Sequence, residues 1–484
     1  MHDSLSIVVD VGKTHAKVSL WDSRGQMLDL RVRANRVQHA RDYLALDTDG
    51  IEVWLIDTLA ECAKIGHVRH IIPVGHGAAA AIVCNGKLLL PPMDYEQTVP
   101  EDCRLSYAAE RDPFAATGSP FLPGALNLGM QLHRIESLYG PLAADATILP
   151  WPQYWAWRLS GVMAAEVSSL GCHTDLWRPG AAKFSDLAIA RGWDQRFAPL
   201  RQAGDVLGSI TTAVAQSTGL PADCRVLCGL HDSNAALYGA RGHGVVAQDA
   251  SVLSTGTWFV AMRTPGISLR FDTATLPEHR DCLINVDIDG RPIPSARFMG
   301  GRECELILGL EPAAATSDPA PDSLLHRVAA IVERKACALP TFAPGVGPFP
   351  SSAGHLINRP ECALDLGVVA SLYLAQMSAV LLELIGSTDC CLLEGRFAED
   401  PVFTGALATI RPQMSLYVCE GSNDLAYGAL RLVDSTLAPP TTLRRVEPLD
   451  VDLAGYAEYW RQLVDAPPRT RTSLTEDSAM RVTR

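Results

Sequence analysis

Two apolar runs joined by a short polar corner occur twice in the chain, once in each half. Near the start, Ile7-Val8-Val9 leads into Asp10 and a Gly12-Lys13-Thr14 corner, and the chain returns as a strand from Ala16 to Trp21. Residues 251–262 repeat strand, corner and strand around Ser254-Thr255-Gly256-Thr257. A third strand over 25–32 makes the first unit an antiparallel meander, of the kind that fills one side of a mixed sheet. Helix and strand then alternate: the spacing predicts a helix over 53–65, a short buried strand over 71–74 and further strands within 78–90. Over 95–123 the periodicity fades among Pro and Gly, which predicts a loop region able to line a cleft. Helices are expected again over 127–139 and 153–159, and an apolar run over 226–230 predicts a strand that ends at His231-Asp232-Ser233.

The second half begins near Val245. After its strand-corner-strand unit, 282–288 and 292–298 read as a hairpin turned at Asp289-Gly290, and helix begins over 301–310. A Pro and Gly rich loop over 340–350 precedes a long apolar helix over 366–385. Tyr373, Gln376, Ser378 and Glu383 lie within it, which favours a buried core helix over a membrane span. A strand over 391–394, a helix over 402–411, a strand over 416–419 and a last helix over 424–433 follow. The stretch after Pro439 is polar and Pro rich, and is expected to be partly disordered or loosely packed.

Length and charge narrow the picture. At 484 residues the chain is too long for one core, so two domains are expected. Two halves that open alike suggest a duplicated unit facing itself across a cleft. Lys and Arg total 41 against 54 Asp and Glu, a net charge of −13, which disfavours nucleic acid and anionic membranes as partners. The first residues lack the basic start and long apolar core of a secretory signal, so the cytoplasm is the expected location. Thirteen cysteines without a C-x-x-C pair are expected to be reduced, mostly buried thiols.

Candidate chemistry sits at the strand ends. Gly12-Lys13-Thr14 resembles the end of a Walker A loop, but the earlier glycine of that motif would fall on Ile7, and a strand follows where a helix is required. Two readings of the corner stand: a plain surface hairpin, or one in which Asp10 faces a hydrated Mg²⁺ and the amides of Gly12, Lys13 and Thr14 point at phosphate oxygens. Thr255, Gly256 and Thr257 offer hydroxyls and a close backbone approach to phosphate, or an ordinary small-residue turn. Asp232 stands where a strand enters a helix, a common place for sites in open α/β sheets and also for a simple N-cap. His231, Asp232 and Ser233 are adjacent and cannot form a hydrolase triad, and no G-x-S-x-G elbow is present. Val74-Gly75-His76-Gly77 ends a strand with an imidazole between glycines, able to hydrogen-bond a polar substrate or to sit satisfied under a turn. Trp151, Gln153, Tyr154, Trp155 and Trp157 form an aromatic segment that suits a sugar-binding wall or a core.

With these residues in place, the chain resembles the FGGY family of carbohydrate kinases, in the actin-like ATPase superfamily, over roughly residues 5 to 435. Asp10-Val-Gly-Lys-Thr resembles the first phosphate motif and Val74-Gly-His-Gly-Ala the sugar-side turn. The segment from Trp151 to Gly161 resembles the family's Tyr and Leu-Thr-Gly helix, Gly229-Leu-His-Asp-Ser-Asn-Ala-Ala the motif carrying the catalytic Asp, and Leu253-Ser-Thr-Gly-Thr-Trp the second phosphate motif. The closing Ala426-Tyr427-Gly428-Ala429 resembles the family's last helix. Within the family, His231-Asp232 and Ser254 to Trp258 most resemble rhamnulokinase and related kinases of deoxy-ketohexoses.

The resemblance implies an α/β fold of two actin-like (ribonuclease H-like) domains, with mixed sheets flanked by helices around a central cleft. It divides the chain into an N-terminal domain over 1–243, a C-terminal domain over 244–438 and a tail over 439–484. It implies transfer of the γ-phosphate of MgATP to a small-molecule sugar, probed first with deoxy-ketohexoses such as L-rhamnulose or L-fuculose, then with xylulose-like ketoses and glycerol-like polyols. Asp232 takes the role of general base, Asp10 that of metal ligand, and Asp10, Gly12, Lys13, Thr14, Thr255, Gly256, Thr257 and Gly395 form the nucleotide side. His76, Gly77, Gln153 and His231 are the expected sugar contacts. Two departures stand out. The family's glycine-rich adenosine loop is here Leu393-Glu394-Gly395-Arg396-Phe397-Ala398, which gives the adenine pocket another shape, with Arg396 either stacking on the base or filling space, and Lys13 replaces a small hydroxyl residue. A catalytically silent, actin-like nucleotide-binding protein is the rival class. The oligomeric state is open, a homodimer being the assembly to test for.

Overall fold

The computed structural model describes residues 4–246, 249–266, 272–309, 322–420 and 425–465. In the first lobe, β1 (Leu5–Val11), β2 (His15–Trp21) and β3 (Met27–Ala34) form the expected antiparallel meander. β1 pairs in parallel with β4 (Val68–Gly75), and β4 in parallel with β5 (Arg225–Leu227) and β6 (Leu230–His231). The strand Val206–Ser209 closes the edge. Helices α1 (Thr48–Ala63) and α4 (Trp151–Ser160) pack on the sheet, α2 (Glu101–Glu110) and α3 (Leu128–Tyr139) form a separate cluster with Ile82 and Ile148, and α5 (Asp232–Ala240) leaves directly from β6.

The second lobe repeats this wiring. β7 (Ala250–Thr255) turns back antiparallel as β8 (Phe259–Thr264), followed by the hairpin of β9 (Cys282–Val286) and β10 (Pro292–Phe298). After α6 (Gly300–Leu308) and α7 (Ala363–Leu384), β11 (Cys390–Gly395) pairs in parallel with β7 as β4 does with β1. α8 (Pro401–Ile410), β12 (Ser415–Glu420), α9 (Leu425–Leu430), β13 (Thr442–Arg445) and α10 (Ala454–Asp465) complete it. Two mixed sheets with one topology carry out the expected α/β architecture.

Period-2 alternation decides what each face of β1 meets. Ile7, Val9 and Val11 pack with Ile51, Leu55 and Leu59 of α1, whereas Val8 turns to the other side and meets Ala426, Ala429 and Leu430 of α9. Both faces are thus covered, and all seven β1 residues are buried. The long apolar helix is a core helix: every α7 residue from Val368 to Leu382 is buried. Burial of each large aliphatic side chain there contributes about 1.5–3 kcal/mol.

Two expectations fail. Residues 101–110, expected as loop, form α2, a surface helix that buries only Cys103 and Tyr107, too few positions to print a helical period. The segment after Pro439 is no loose tail as far as residue 465. β13 forms the edge strand beside β12, and α10 buries Tyr456 and Trp460, whose hydroxyl and indole N–H donate to the carbonyls of Ala336 (2.9 Å) and Ala338 (2.8 Å). Residues 466–484 of that tail, and 421–424 before the last family helix, lie outside the described residues.

The lobes meet where α9 crosses α5. Gly428 and Gly239 let the two backbones touch: a Cβ on Gly428 would lie 1.8 Å from the Ala235 carbonyl oxygen. A chain segment from the second half therefore packs on the helix that begins with Asp232.

Candidate active site

Asp232 is the first residue of α5, at the carboxyl end of the parallel strand β6. Its Oδ1 accepts from the Ser233 amide (2.5 Å) and hydroxyl (3.2 Å), and His231 Nε2 lies 3.2 Å away. Asn234 donates its side-chain amide to His231 Nδ1 (3.1 Å), which leaves the proton on Nε2, beside the Asp232 carboxylate. Burial holds the His231 pKa below its ordinary value and keeps the ring neutral. The Ser233 amide and hydroxyl therefore hold one carboxylate oxygen with the His231 ring beside it, while Oδ2 has no partner among the described residues. A fixed carboxylate with one open oxygen has the geometry of a general base.

A buried chain positions this pair. Glu166 accepts from the amides of Ser168 (2.9 Å) and Ser169 (3.1 Å) and from the Ser168 hydroxyl (2.6 Å). The Ser168 oxygen in turn accepts from the His231 amide (3.2 Å). Burial raises the Glu166 carboxyl to about 7 despite these three hydrogen bonds.

The two phosphate corners are built alike, and the likeness corrects part of the sequence reading. Gly12 donates its amide to the His15 carbonyl (3.0 Å) and Gly256 to the Trp258 carbonyl (3.0 Å), so neither glycine amide is free for phosphate. The Thr255 hydroxyl is also committed, donating to the Glu394 carbonyl (2.7 Å) and accepting from the Phe397 amide (3.2 Å). Lys13 sends its ammonium away from the corner to Asp94, with Glu96 at 3.7 Å and the Tyr95 ring beneath it at 4.9 Å. Thr14 and Thr257 remain exposed at the corner tips. Asp10 is 7% exposed at the end of β1, with Lys17 Nζ 4.0 Å from Oδ2.

Glu394 is the residue that local patterns missed. It stands at the end of β11, accepts from the Ser254 hydroxyl (2.5 Å), and lines one hollow together with Asp232, Ser233 and Ser254. Asp232 of the first lobe and Ser254 and Glu394 of the second thus share a cavity. Larger hollows beside Pro448 and beside Trp460 are lined by residues of the second half of the chain alone. Gly395 has φ +90°, and a Cβ there would lie 2.4 Å from the Thr255 carbonyl oxygen. Gly395→Ala is expected to cost about 1–3 kcal/mol and to raise KM for nucleotide, readable by thermal melts and ATP titration; an unchanged melt and KM would contradict this. Arg396 is exposed and rests on Phe397, 4.6 Å from the ring centre.

On the acceptor side, His76 is 8% exposed and neither ring nitrogen has a protein partner among the described residues. Tyr95 meets it edge-on at 5.4 Å and Trp151 lies at 6.2 Å. Gly77 is needed for closeness: a Cβ would lie 2.3 Å from Cys172 Sγ and 3.0 Å from His231 Nε2. Gln153 Oε1 has no partner among the described residues. The side chain is fully buried, and its Nε2 donates to the carbonyls of Cys228 (3.3 Å) and Gly229 (3.1 Å), bracing the turn into β6. The aromatic run is core as well: Trp151 and Trp155 are fully buried, and Trp151 Nε1 donates to the Val11 carbonyl (2.9 Å).

Burial pushes His76 down to about 4 and His173 to about 3. In the unfolded chain both take a proton near 6.5, while the folded pockets resist it. Their stabilisation is therefore complete above pH 6.5 and is lost as pH falls towards 4. Unfolding midpoints should fall between pH 7 and 5, and His76→Gln should make that slope shallower by about 1.4 kcal/mol per pH unit; an identical slope in the variant would contradict the assignment.

No group of three His, Cys, Asp or Glu able to hold a metal occurs among the described residues. The Asp10 carboxylate fits a divalent ion that takes its remaining ligands from phosphate and water, the usual manner of Mg²⁺.

Comparison with known proteins places these features. Residues 247–440 match the family described as "Carbohydrate kinase FGGY, C-terminal domain". The crystal structure of a carbohydrate kinase from Novosphingobium aromaticivorans superposes with a TM-score of 0.92 at 47% identity, covering 96% of this chain and 99% of that one. A xylulose kinase from Rhodospirillum rubrum shares the fold, with a TM-score of 0.74 at 17% identity over 95% of this chain and 96% of that one. An L-fuculokinase of Salmonella typhi is 25% identical over 311 residues, 59% of this chain; the match spans 61% of that relative's length.

Proposed function

The chain belongs to the FGGY family of carbohydrate kinases, and from that premise we propose that it transfers the γ-phosphoryl group of MgATP to a hydroxyl of a ketose, with Asp232 as general base. The observation that carries this reading is the single hollow lined by Asp232 from one lobe and by Ser254 and Glu394 from the other. An acceptor hydroxyl in that hollow reaches Asp232 Oδ2, the oxygen that the protein leaves open. Ser233 holds Oδ1 with the His231 ring beside it, so the proton passes to Oδ2 as the acceptor oxygen attacks phosphorus in line. The backbone amides of Lys13, Thr14 and Thr257 face the phosphates from the two corners. Asp10 is the protein ligand for Mg²⁺, which when bound neutralises phosphate charge. Phosphoryl transfer asks mainly for such positioning and charge stabilisation.

A deoxy-ketohexose such as L-rhamnulose or L-fuculose is the first acceptor to test, supported by the His231-Asp232 motif and by the likeness to L-fuculokinase. A ketopentose or polyol is the second, suited to the same neutral, hydrogen-bonding pocket around His76. We draw the domain division near residue 244, supported by the start of the second sheet at Ala250; limited proteolysis should cut first between 240 and 250, and full protection there would contradict it. The thirteen unpaired cysteines suit the reducing cytoplasm.

Coupled ADP release with MgATP over ketoses, deoxy-ketoses and polyols tests the reading. Acceptor-dependent ADP formation is expected with one of these classes. Silence across the panel would sink the kinase reading and favour a nucleotide-binding protein without catalysis.

A further inference from the structure

His173 has no part in the machinery so far described, yet it is placed at its edge. The preceding Cys172 sends its thiol to the Gly77 carbonyl (3.3 Å), and Asn127 donates to the His173 carbonyl (3.2 Å), so the backbone here is fixed from two sides. The ring Nε2 is buried and has no partner among the described residues. Buried polar atoms are nearly always paired, so an open one beside a reaction centre calls for an absent partner. The preceding Cys172 and the His231 ring both crowd the Cβ position of Gly77, at 2.3 and 2.9 Å, which sets His173 beside that ring, and burial with the Arg297 charge holds its own imidazole neutral.

Arg297 comes from the other lobe, near the end of β10. Asp281 accepts from its Nε (2.9 Å), and Trp258 underlies its guanidinium at 5.0 Å. These contacts orient the plane. The two terminal nitrogens have no partner among the described residues. Trp258 directly follows Thr257, so the open fork stands beside the second corner. A planar guanidinium fork suits two oxygens in one plane, a pair of neighbouring hydroxyls or a carboxylate.

We propose that His173 and Arg297 are specificity-determining residues for the acceptor, donating from His173 Nε2 and the Arg297 Nη atoms to acceptor oxygens other than the one that Asp232 deprotonates. The assignment rests on the kinase reading and deepens it: the acceptor presents at least two oxygens to a donor pair split between the lobes. Acceptor binding then draws the lobes together, since neither residue alone spans the pocket. Vicinal hydroxyls of a ketose and the carboxylate of a sugar acid both supply the chemistry.

The test is steady-state kinetics with MgATP on neutral ketoses and on aldonates, for the wild-type chain, His173→Leu, His173→Gln and Arg297→Met. His173→Leu and Arg297→Met should each raise acceptor KM about tenfold or more, with KM for ATP little changed and melting curves intact. His173→Gln, which returns a donor near the Nε2 position, should recover most of the loss. A preference for aldonates that vanishes in Arg297→Met identifies the carboxylate source; a preference for ketoses identifies the diol. Unchanged acceptor KM in both variants, or an equal rise in KM for ATP, overturns the assignment while leaving the kinase reading intact. A wild-type chain silent on every acceptor removes the kinase reading and this assignment together.

Discussion

Asp232→Asn is expected to lower kcat by about 10² to 10⁴, with KM for ATP nearly unchanged. The substitution keeps the shape of the side chain and its hydrogen bonds on the Oδ1 side, where Ser233 and His231 gather. It removes only the basicity of the oxygen that faces the cavity. Phosphoryl transfer needs little covalent help, so positioning by the two corners should leave a residual rate above that of the uncatalysed reaction. The companion variant Glu166→Gln separates base from support. It weakens the chain that holds Ser168 and the His231 amide, so it should lower kcat by a smaller factor than Asp232→Asn does. An Asp232→Asn enzyme with near wild-type kcat would mean that the proton leaves by another route.

Gly428→Ala is expected to destabilise the protein by about 3 kcal/mol, the upper end for overpacking, and to lower kcat as well. The added methyl would meet the Ala235 carbonyl oxygen at 1.8 Å and the Gly239 nitrogen at 2.8 Å, both backbone atoms of α5. Side chains can rotate aside, but a helix backbone can yield only by moving the helix. Because α5 begins with Asp232, displacement of its middle tilts the base relative to the second lobe. Gly455→Ala, in α10 with open space around its Cβ, is the control and should stay within about 0.5 kcal/mol of wild type. Equal melting temperatures for Gly428→Ala and the control would refute the close crossing of α5 and α9.

What was legible in the chain follows from how locally each feature is encoded. The strands β1, β7 and β11 are short apolar runs buried on both faces, and α7 is apolar around its circumference, so each announces itself within its own segment. α2 does not, since two buried residues among ten set no period. α10 hides for a related reason: Tyr456 and Trp460 are a spaced pair within a polar stretch, and their value comes from the carbonyls of Ala336 and Ala338, more than a hundred residues away in sequence.

The site divides in the same way. Asp232 was readable because strand end, histidine and helix start are neighbours in sequence. Glu394 and His173 were not, since their meaning depends on Ser254 and on Arg297, far along the chain. Lys13 shows the hazard of reading a corner by composition: its sequence neighbours suggest phosphate, but Asp94 takes its charge from across the loop. Gln153 adds a role that its motif does not print, for its amide nitrogen braces the turn that leads to Asp232.

The central claim is that the cleft joins a phosphoryl group to a sugar oxygen. Phosphorus NMR of the wild-type reaction, with MgATP and the acceptor that gives the fastest ADP release, tests it most directly. The account predicts a phosphate ester of the sugar in one-to-one amount with ADP, and its loss in Asp232→Asn. Inorganic phosphate in place of the ester, at the same yield of ADP, would contradict it.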